Sequence, residues 1–332
     1  MRNSGKRIIS ILPFTLAVVL TLSLAGCSSN GTSGTGDAEA ALVRIGVLRI
    51  DDSIPLFVAG RDGLFEQKGV RVELIGFGSP MDQMRAAEAG EIDFLMTDMV
   101  VLSLLKLGQA DFRVVQTALG ANAAEGRFLV VSAPNSGILQ PEDLHGATIA
   151  ISENTMMDFL VEQFERVLGL DGTRIGKLHI PSLSLRMEAL LEGRVDAAIL
   201  PDPLAAFAVH MGANTVIDTT KLDENLSQSV FAVSKRLIDE NPDLVQRLVG
   251  AVLQAMEAIN DNPDLYREYC LEIANVPHEI AGGYPVPTYS PDTVPNREEV
   301  QRVMDWMVSR GLISEAFEYE EVVDSRFITP RN

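Results

Sequence analysis

The stretch from Met84 to Asp98, MRAAEAGEIDFLMTD, recurs in outline as Met187 to Asp202, MEALLEGRVDAAILPD. Each copy reads as the end of an amphipathic helix, a glycine turn (Gly90, Gly193), an aspartate opening a short apolar strand (Asp93, Asp196) and an acidic residue where that strand ends (Asp98, Asp202). A chain that builds the same helix-to-strand unit twice is predicted to form two lobes of one plan. Ligands of open α/β sheets collect beyond the carboxyl ends of the strands, so two facing lobes bring both acidic strand ends to one cleft.

The rest of the chain alternates strand-like and helix-like segments in the manner of a parallel-sheet protein. Strands are predicted at Val43 to Ile50, Val70 to Phe77, Ile92 to Met96 and Phe112 to Ala118. Further strands are predicted at Phe128 to Ser132, Thr148 to Ile151, Lys177 to Ile180, Ala197 to Leu200, Thr215 to Ile217 and Val230 to Val233. Long helical patterns follow at Pro242 to Asn260, Pro263 to Ala274 and Arg297 to Arg310, the last of them after a proline-rich loop from Tyr284 to Asn296. The fold class is therefore α/β and two-lobed, each lobe a mixed, mostly parallel sheet flanked by helices. Residues 42–124 and 226–332 are assigned to lobe 1 and residues 125–225 to lobe 2. The chain then crosses between lobes twice, which restricts their relative motion to a closing rotation.

Arg2, Lys6 and Arg7 precede an apolar run from Ile8 to Leu22, followed by Leu24-Ala25-Gly26-Cys27. The run is short for a bilayer span of about 20 residues, so residues 1–26 are expected to be an export signal that is removed. The LAGC motif resembles a bacterial lipobox, which implies acylation of Cys27, with palmitate as one such chain, and a membrane-anchored lipoprotein on the extracytoplasmic side. Residues 27–41, rich in Ser, Gly and Thr, fit a flexible tether. Cys270 is then left without a cysteine to pair with, and its place in YREYCLEIA predicts a buried, inert thiol. At 332 residues and 46% hydrophobic content the chain can fill real cores. Its net charge of −19 repels phosphate backbones, so nucleic acid is not an expected partner, and a soluble monomer is expected.

Five of the predicted strands end in short polar segments that open helices. They are Asp51-Asp52-Ser53 before Pro55, Ser79-Pro80-Met81-Asp82, Thr97-Asp98-Met99, Ser152-Glu153-Asn154-Thr155 and Asp202-Pro203. Any one of them is explained as a helix cap, since Asp, Ser, Thr and Asn satisfy the free N–H groups of a first turn at about 1 kcal/mol each. Convergence of five helix starts on one crevice, three from one lobe and two from the other, points to a ligand instead. Met81, Met99 and Met156 fall in the same loops, where a flexible thioether suits either a small-ligand wall or the rim of the core.

The run LFVAGRDGLFEQKGVRVELIGFGSPMDQMRAAEAGEIDFLMTDM, with EGRVDAAILPDPLA, SQSVFAVSKRLIDENPDLVQRLVGAV and VMDWMVSRGLI, resembles the substrate-binding proteins of ABC importers. More narrowly, it is similar to the branch that takes nitrate, sulfonates, taurine and thiamine-pyrimidine precursors. The resemblance implies a hinged periplasmic-binding-protein-like fold of type II, a small molecule held between the lobes, and delivery to an ABC permease driven by its ATPase. By position it places Asp51, Asp52, Ser53, Ser79, Met81, Asp98, Ser152, Asn154, Thr155 and Asp202 in the ligand-contacting loops. No Arg or Lys occurs in those loops, a departure from what a sulfonate or nitrate binder is expected to show. The carboxylates of Asp51, Asp52, Asp98, Glu153 and Asp202 predict instead a cationic or neutral nitrogen-containing ligand, of which a thiamine-pyrimidine precursor is one. Two alternatives stay open: an anion held by helix N-termini without basic side chains, and a receptor that presents its ligand to a sensor. The sequence has no HExxH, CxxC, phosphate-loop or GxSxG pattern, and His145, His179, His210 and His278 are scattered. No catalytic residue, metal or cofactor is therefore expected, and the chain reads as a binder rather than an enzyme.

Overall fold

The computed structural model describes residues 42–170 and 174–328. The expected export signal, the acylated Cys27 and the tether lie outside the described residues. Strands β1 (Leu42–Leu48), β2 (Arg71–Phe77), β3 (Phe94–Thr97), β4 (Phe112–Leu119) and β10 (Ser229–Ser234) form one sheet in the order β2-β1-β3-β10-β4. A second sheet, β7-β6-β8-β5-β9, consists of β5 (Phe128–Ser132), β6 (Thr148–Ile151), β7 (Gly176–His179), β8 (Ala197–Pro201) and β9 (Asn214–Asp218). Within each sheet one strand, β10 or β5, runs antiparallel to both of its neighbours, while the pairings of β1 and β6 are parallel. The two sheets thus share one plan, and the chain passes from the first to the second after β4 and back before β10.

Helices follow the strands. Those of the first half are α1 (Ile54–Arg61), α2 (Leu64–Gln67), α3 (Pro80–Glu88), α4 (Met99–Leu107), α5 (Met156–Val167), α6 (Leu183–Leu191) and α7 (Leu204–His210). The later ones are α8 (Lys235–Glu240), α9 (Pro242–Asp261), α10 (Pro263–Ile273), α11 (His278–Ala281), α12 (Arg297–Ser309) and α13 (Tyr319–Val322). Central strands β3 and β8 are buried along their whole length, as strands covered on both faces must be. Alternation along β5 shows how the second sheet divides its apolar residues. Leu129 and Val131 pack with α6 and α7, whereas Val130 joins the larger core that includes Phe159 and Phe164 of α5. Long α9 lies against α1 and α2, and Cys270 of α10 is buried, its thiol pushed up to about 12 by that burial.

The sequence repeat falls on α3–β3 in one sheet and α6–β8 in the other, at equivalent places, and its aspartates do the same work in both. Asp93 Oδ2 accepts the Arg44 N–H at 3.0 Å and Asp196 Oδ2 accepts the Thr148 N–H at 2.8 Å, each from the neighbouring parallel strand. Their carbonyls accept the N–H of Ser234 and of Ala133, both at 2.9 Å, at the end of β10 and just beyond β5. Each aspartate therefore pins the start of its strand to both neighbours. The environments differ: Asp93 is buried and also meets Arg236 at 2.8 Å, while Asp196 is exposed.

The two crossings touch each other at glycines. Gly120 has φ of +82°, and a Cβ there would stand 2.6 Å from the Ser227 carbonyl oxygen of the other crossing. Asn225 Nδ2 donates to the Gly120 carbonyl at 2.9 Å, which fastens the same pair of segments. A side chain at position 120 has neither the backbone conformation nor the space it needs. The repeat leads to a stability prediction. Asp93→Ala is expected to cost about 1–3 kcal/mol, because the part-buried Arg44 N–H and the Arg236 guanidinium both lose a buried acceptor, and Asp196→Ala distinctly less. Urea unfolding of both variants checks this, and an equal or reversed ranking would contradict it.

Candidate functional site

The carboxyl ends of β1, β3, β6 and β8 face one cleft, and the residues there are first of all caps. Asp98 Oδ1 accepts the Val100 and Val101 N–H groups, both at 2.9 Å, and the Met156 N–H at the start of α5 favours its charged form. One carboxylate therefore caps α4 and lies within the influence of the N-terminus of α5. Thr155 accepts the Met157 N–H at 3.3 Å and donates to the Ser152 carbonyl at 2.7 Å. Asp202 Oδ1 accepts the Ala206 N–H at 3.1 Å. Ser79 caps α3 and donates to Asp82 at 2.8 Å.

Two cavities open between these elements, beside a smaller space of about 30 Å³ lined by Asp98, Met99, Met156 and Arg302. The inner one, of about 50 Å³, is walled by Leu48, Ile50, Met96, Phe128, Met156, Met157 and Leu183, with polar groups from Asp52, Gln83, Thr97, Asp98, Thr155 and Ser229. Such a space holds roughly four water-sized groups. Gln83 is fully buried, yet both atoms of its amide lack a hydrogen-bond partner, as does the Thr97 hydroxyl beside it. Buried polar groups in that state cost free energy unless something small and polar meets them. The outer cavity, of about 330 Å³, is lined by Asp51, Asp52, Glu125, Arg127, Asp202 and Thr220, and by Tyr284 to Thr288 of the proline-rich loop. Asp52 lines both.

Of the residues placed in ligand loops by sequence, Asp51, Asp52, Asp98, Thr155 and Asp202 line a cavity. Ser53 and Ser152 are fully buried with unpartnered hydroxyls, but neither reaches a cavity wall. Ser79 and Met81 on α3 stand outside both, as does Asn154, whose positive φ turns its N–H to Asp158 at 3.1 Å. Glu153 is exposed. Met156 lines the inner wall as a flexible thioether can, and together with Met99 it also lines the smaller space beside it.

The expectation of a cleft without basic side chains needs correcting. Arg127, just before β5, reaches into the outer cavity and binds Asp202 Oδ2 through Nε at 2.6 Å. It lies in a crossing segment rather than after a strand, so a search of strand-end loops passes over it. Gln83 was hidden for another reason: it sits one turn inside α3, where polar residues usually face water. Tyr284 and Ser229 come from parts of the chain remote from the repeat, and only tertiary folding brings them here.

Burial dominates the electrostatics. It raises Asp51 from 3.8 to about 8, against a hydrogen bond from the Tyr284 hydroxyl at 2.5 Å and with added repulsion from Asp202 and Asp52. Burial likewise raises Asp52, offset in part by Ser229, and Asp98, offset in part by the N–H groups it caps. It raises Asp202 too, against the hydrogen bond and charge of Arg127. Asp51 Oδ1 is buried without a partner. The folded protein holds the Asp51 proton up to about pH 8, whereas the unfolded chain releases it near 3.8. Stability therefore falls as pH rises through that interval, by at most about 1.4 kcal/mol per pH unit for this one proton. Asp51→Asn, which keeps an acceptor for Tyr284, is expected to make that decline shallower between about pH 5 and about pH 7.5. Denaturation midpoints at the two pH values test it, and an unchanged slope would count against a protonated Asp51.

The fold has solved counterparts. The structure matches the periplasmic aliphatic sulphonate binding protein SsuA from Escherichia coli with a TM-score of 0.69 and 19% identity, over 86% of this chain and 92% of that one. It also matches the desulfurization enzyme DSZB with a TM-score of 0.62 and 18% identity, over 86% and 97% of the two chains, so this fold carries enzymes as well as binders. In sequence, a putative ABC transporter periplasmic binding protein of Brachyspira hyodysenteriae is 24% identical over 276 residues, 78% of this chain and 77% of its own length. The family model of the NMT1-like family matches residues 36–274, most of both sheets and their crossings. The chain belongs to the NMT1-like family.

Proposed function

We propose that this protein is an extracytoplasmic solute-binding protein that captures a small molecule between its two lobes and delivers it to an ABC permease and its ATPase. Lobe 1 is assigned to residues 42–124 and 226–332 and lobe 2 to residues 125–225, hinged where Gly120 meets Ser227. The observation that carries the reading is the inner cavity, where the buried Gln83 amide and Thr97 hydroxyl lack partners between two sheets of one plan. The similarity to a putative ABC transporter periplasmic binding protein supports it. On this reading the ligand is a cationic or neutral nitrogen-containing molecule, a thiamine-pyrimidine precursor being one such compound. The capping carboxylate of Asp98 supports that class over an anion, because it already occupies N–H groups of α4 that a sulfonate or nitrate would need and sets a negative charge near the N-terminus of α5.

Closure has a built-in reporter. Trp306 of α12, the single tryptophan, meets Phe159 of α5 edge-on with ring centroids 5.5 Å apart and donates from Nε1 to Glu162 at 2.8 Å. A screen of small metabolites is expected to find a ligand that both lowers the radius of gyration and changes Trp306 emission as the existing contact between α5 and α12 is rearranged. A tight ligand that leaves both signals unchanged would remove the hinge. Gln83→Leu is expected to weaken that ligand by about tenfold or more with no loss of melting temperature, since it deletes an unpaired buried amide. Retained affinity would place the ligand elsewhere. For the membrane, we infer cleavage before Cys27 and acylation there, so Cys27→Ala should release the protein from the membrane fraction. Unmodified Cys27 in the mature protein, read by mass spectrometry, would refute the anchor.

A further inference from the structure

We propose that the outer cavity between Asp51, Asp202 and Tyr284 receives the cationic end of the captured molecule, an ammonium or amidinium group, with Asp51 as its counter-charge. The proposal rests on the capture reading above and adds the place and partner of the charge.

Asp51 carries the argument because its two oxygens are unequal. Oδ2 accepts the Tyr284 hydroxyl at 2.5 Å, and the residue's own carbonyl accepts the Tyr289 hydroxyl at 2.8 Å, so the turn is fixed from the proline-rich loop. Oδ1 has no partner although the residue is only 8% exposed, and Asp51 forms part of the wall of a cavity large enough for a ligand group. The neighbours do not supply the missing cation. Arg127 is turned to Asp202, and Glu125 is held by the Ala121 N–H, Asn122 and Ser290. Asp52 and Cys270 add negative or neutral groups, and the phenols of Tyr284 and Tyr289 stay protonated because burial raises both. A group with N–H donors and positive charge satisfies Oδ1 and the surplus of carboxylates together.

A proton balance follows. With no cation present, burial keeps Asp51 protonated near neutral pH. When an ammonium enters, the Asp51 O–H bond breaks, its proton passes to solvent, and the carboxylate pairs with the ligand. Affinity for the cation therefore rises with pH up to about 8, the reverse of what an anion drawn to Arg127 would show.

The test uses propylamine and propanamidine against 1-propanol and propane-1-sulfonate, which share a short carbon skeleton, at millimolar concentration on the full-chain protein. Titration calorimetry near neutral pH in buffers of different protonation enthalpy is expected to show binding of the two cations with release of close to one proton. Binding of the alcohol and sulfonate should be weaker by about tenfold or more. Asp51→Asn should abolish the proton release and weaken the cations without lowering the melting temperature. Tyr284→Phe serves as a second variant should the first not fold, and is expected to shift the pH at which cation affinity levels off. Preference for the sulfonate, cation binding with no proton release, or failure of both cations to bind would each overturn the assignment. Those failures leave the capture reading intact if another metabolite still drives closure, whereas absence of any closing ligand in the wider screen removes both.

Discussion

Strand β10 is the piece on which the two-sheet arrangement depends. It enters the first sheet more than a hundred residues after β4, running antiparallel between β3 and β4 and pairing with both. Its Phe231 packs on Phe94 of β3 with ring centroids 5.6 Å apart, in a core where both rings are fully buried. Without that insertion β3 and β4 have no common partner, and the second sheet would hang on a single connection. With it, the chain makes two crossings, and Gly120 and Ser227 come into contact.

The cleft that results gathers carboxylates in a place where burial opposes their charge. Three devices relieve the conflict, each with different consequences. Asp98 is satisfied by two backbone N–H groups of the helix it caps, with the N-terminus of α5 close enough to favour its charge. Asp202 is neutralised by Arg127, a pair that joins the crossing before β5 to the end of β8. Asp51 has only a phenol, and its high proton affinity is the outcome. The least compensated of the three is therefore the one best placed to respond to an incoming charge.

A buried positive charge shapes the opposite wall. Arg186 of α6 is fully buried, and its guanidinium donates to the carbonyls of Ile180 at 2.9 Å and Ile199 at 3.0 Å, with Met157 sulfur against it. Burial pushes it down to about 9, still well above neutral pH. It ties the carboxyl ends of β7 and β8 together and backs the thioether of Met157 that lines the inner cavity. Opposite this wall, α12 reaches α5 through Trp306, so the lobes touch at the inner cavity and again at their rim.

What the sequence determined by itself was local and periodic. The duplicated helix-to-strand unit, the alternating strands and the cap residues at helix starts are set by spacings of a few residues, and all ten predicted strands are present where apolar runs and turn residues placed them. The equivalence of Asp93 and Asp196 was legible for the same reason, since each acts on a neighbouring strand through its own fixed position in the unit. Which polar residues would be left unpaired was not legible. Asp98 and Ser79 look alike as caps, yet one lines the inner cavity and the other stands outside both cavities; Gln83 looks like a surface residue of an amphipathic helix. Arg127, Ser229 and Tyr284 reach the site from a crossing, a returning strand and a distant loop. Only the tertiary structure decides such matters, because the cost of an unpartnered group and the sign of a cavity depend on what is packed within a few ångströms, and those neighbours come from parts of the chain up to 238 residues apart.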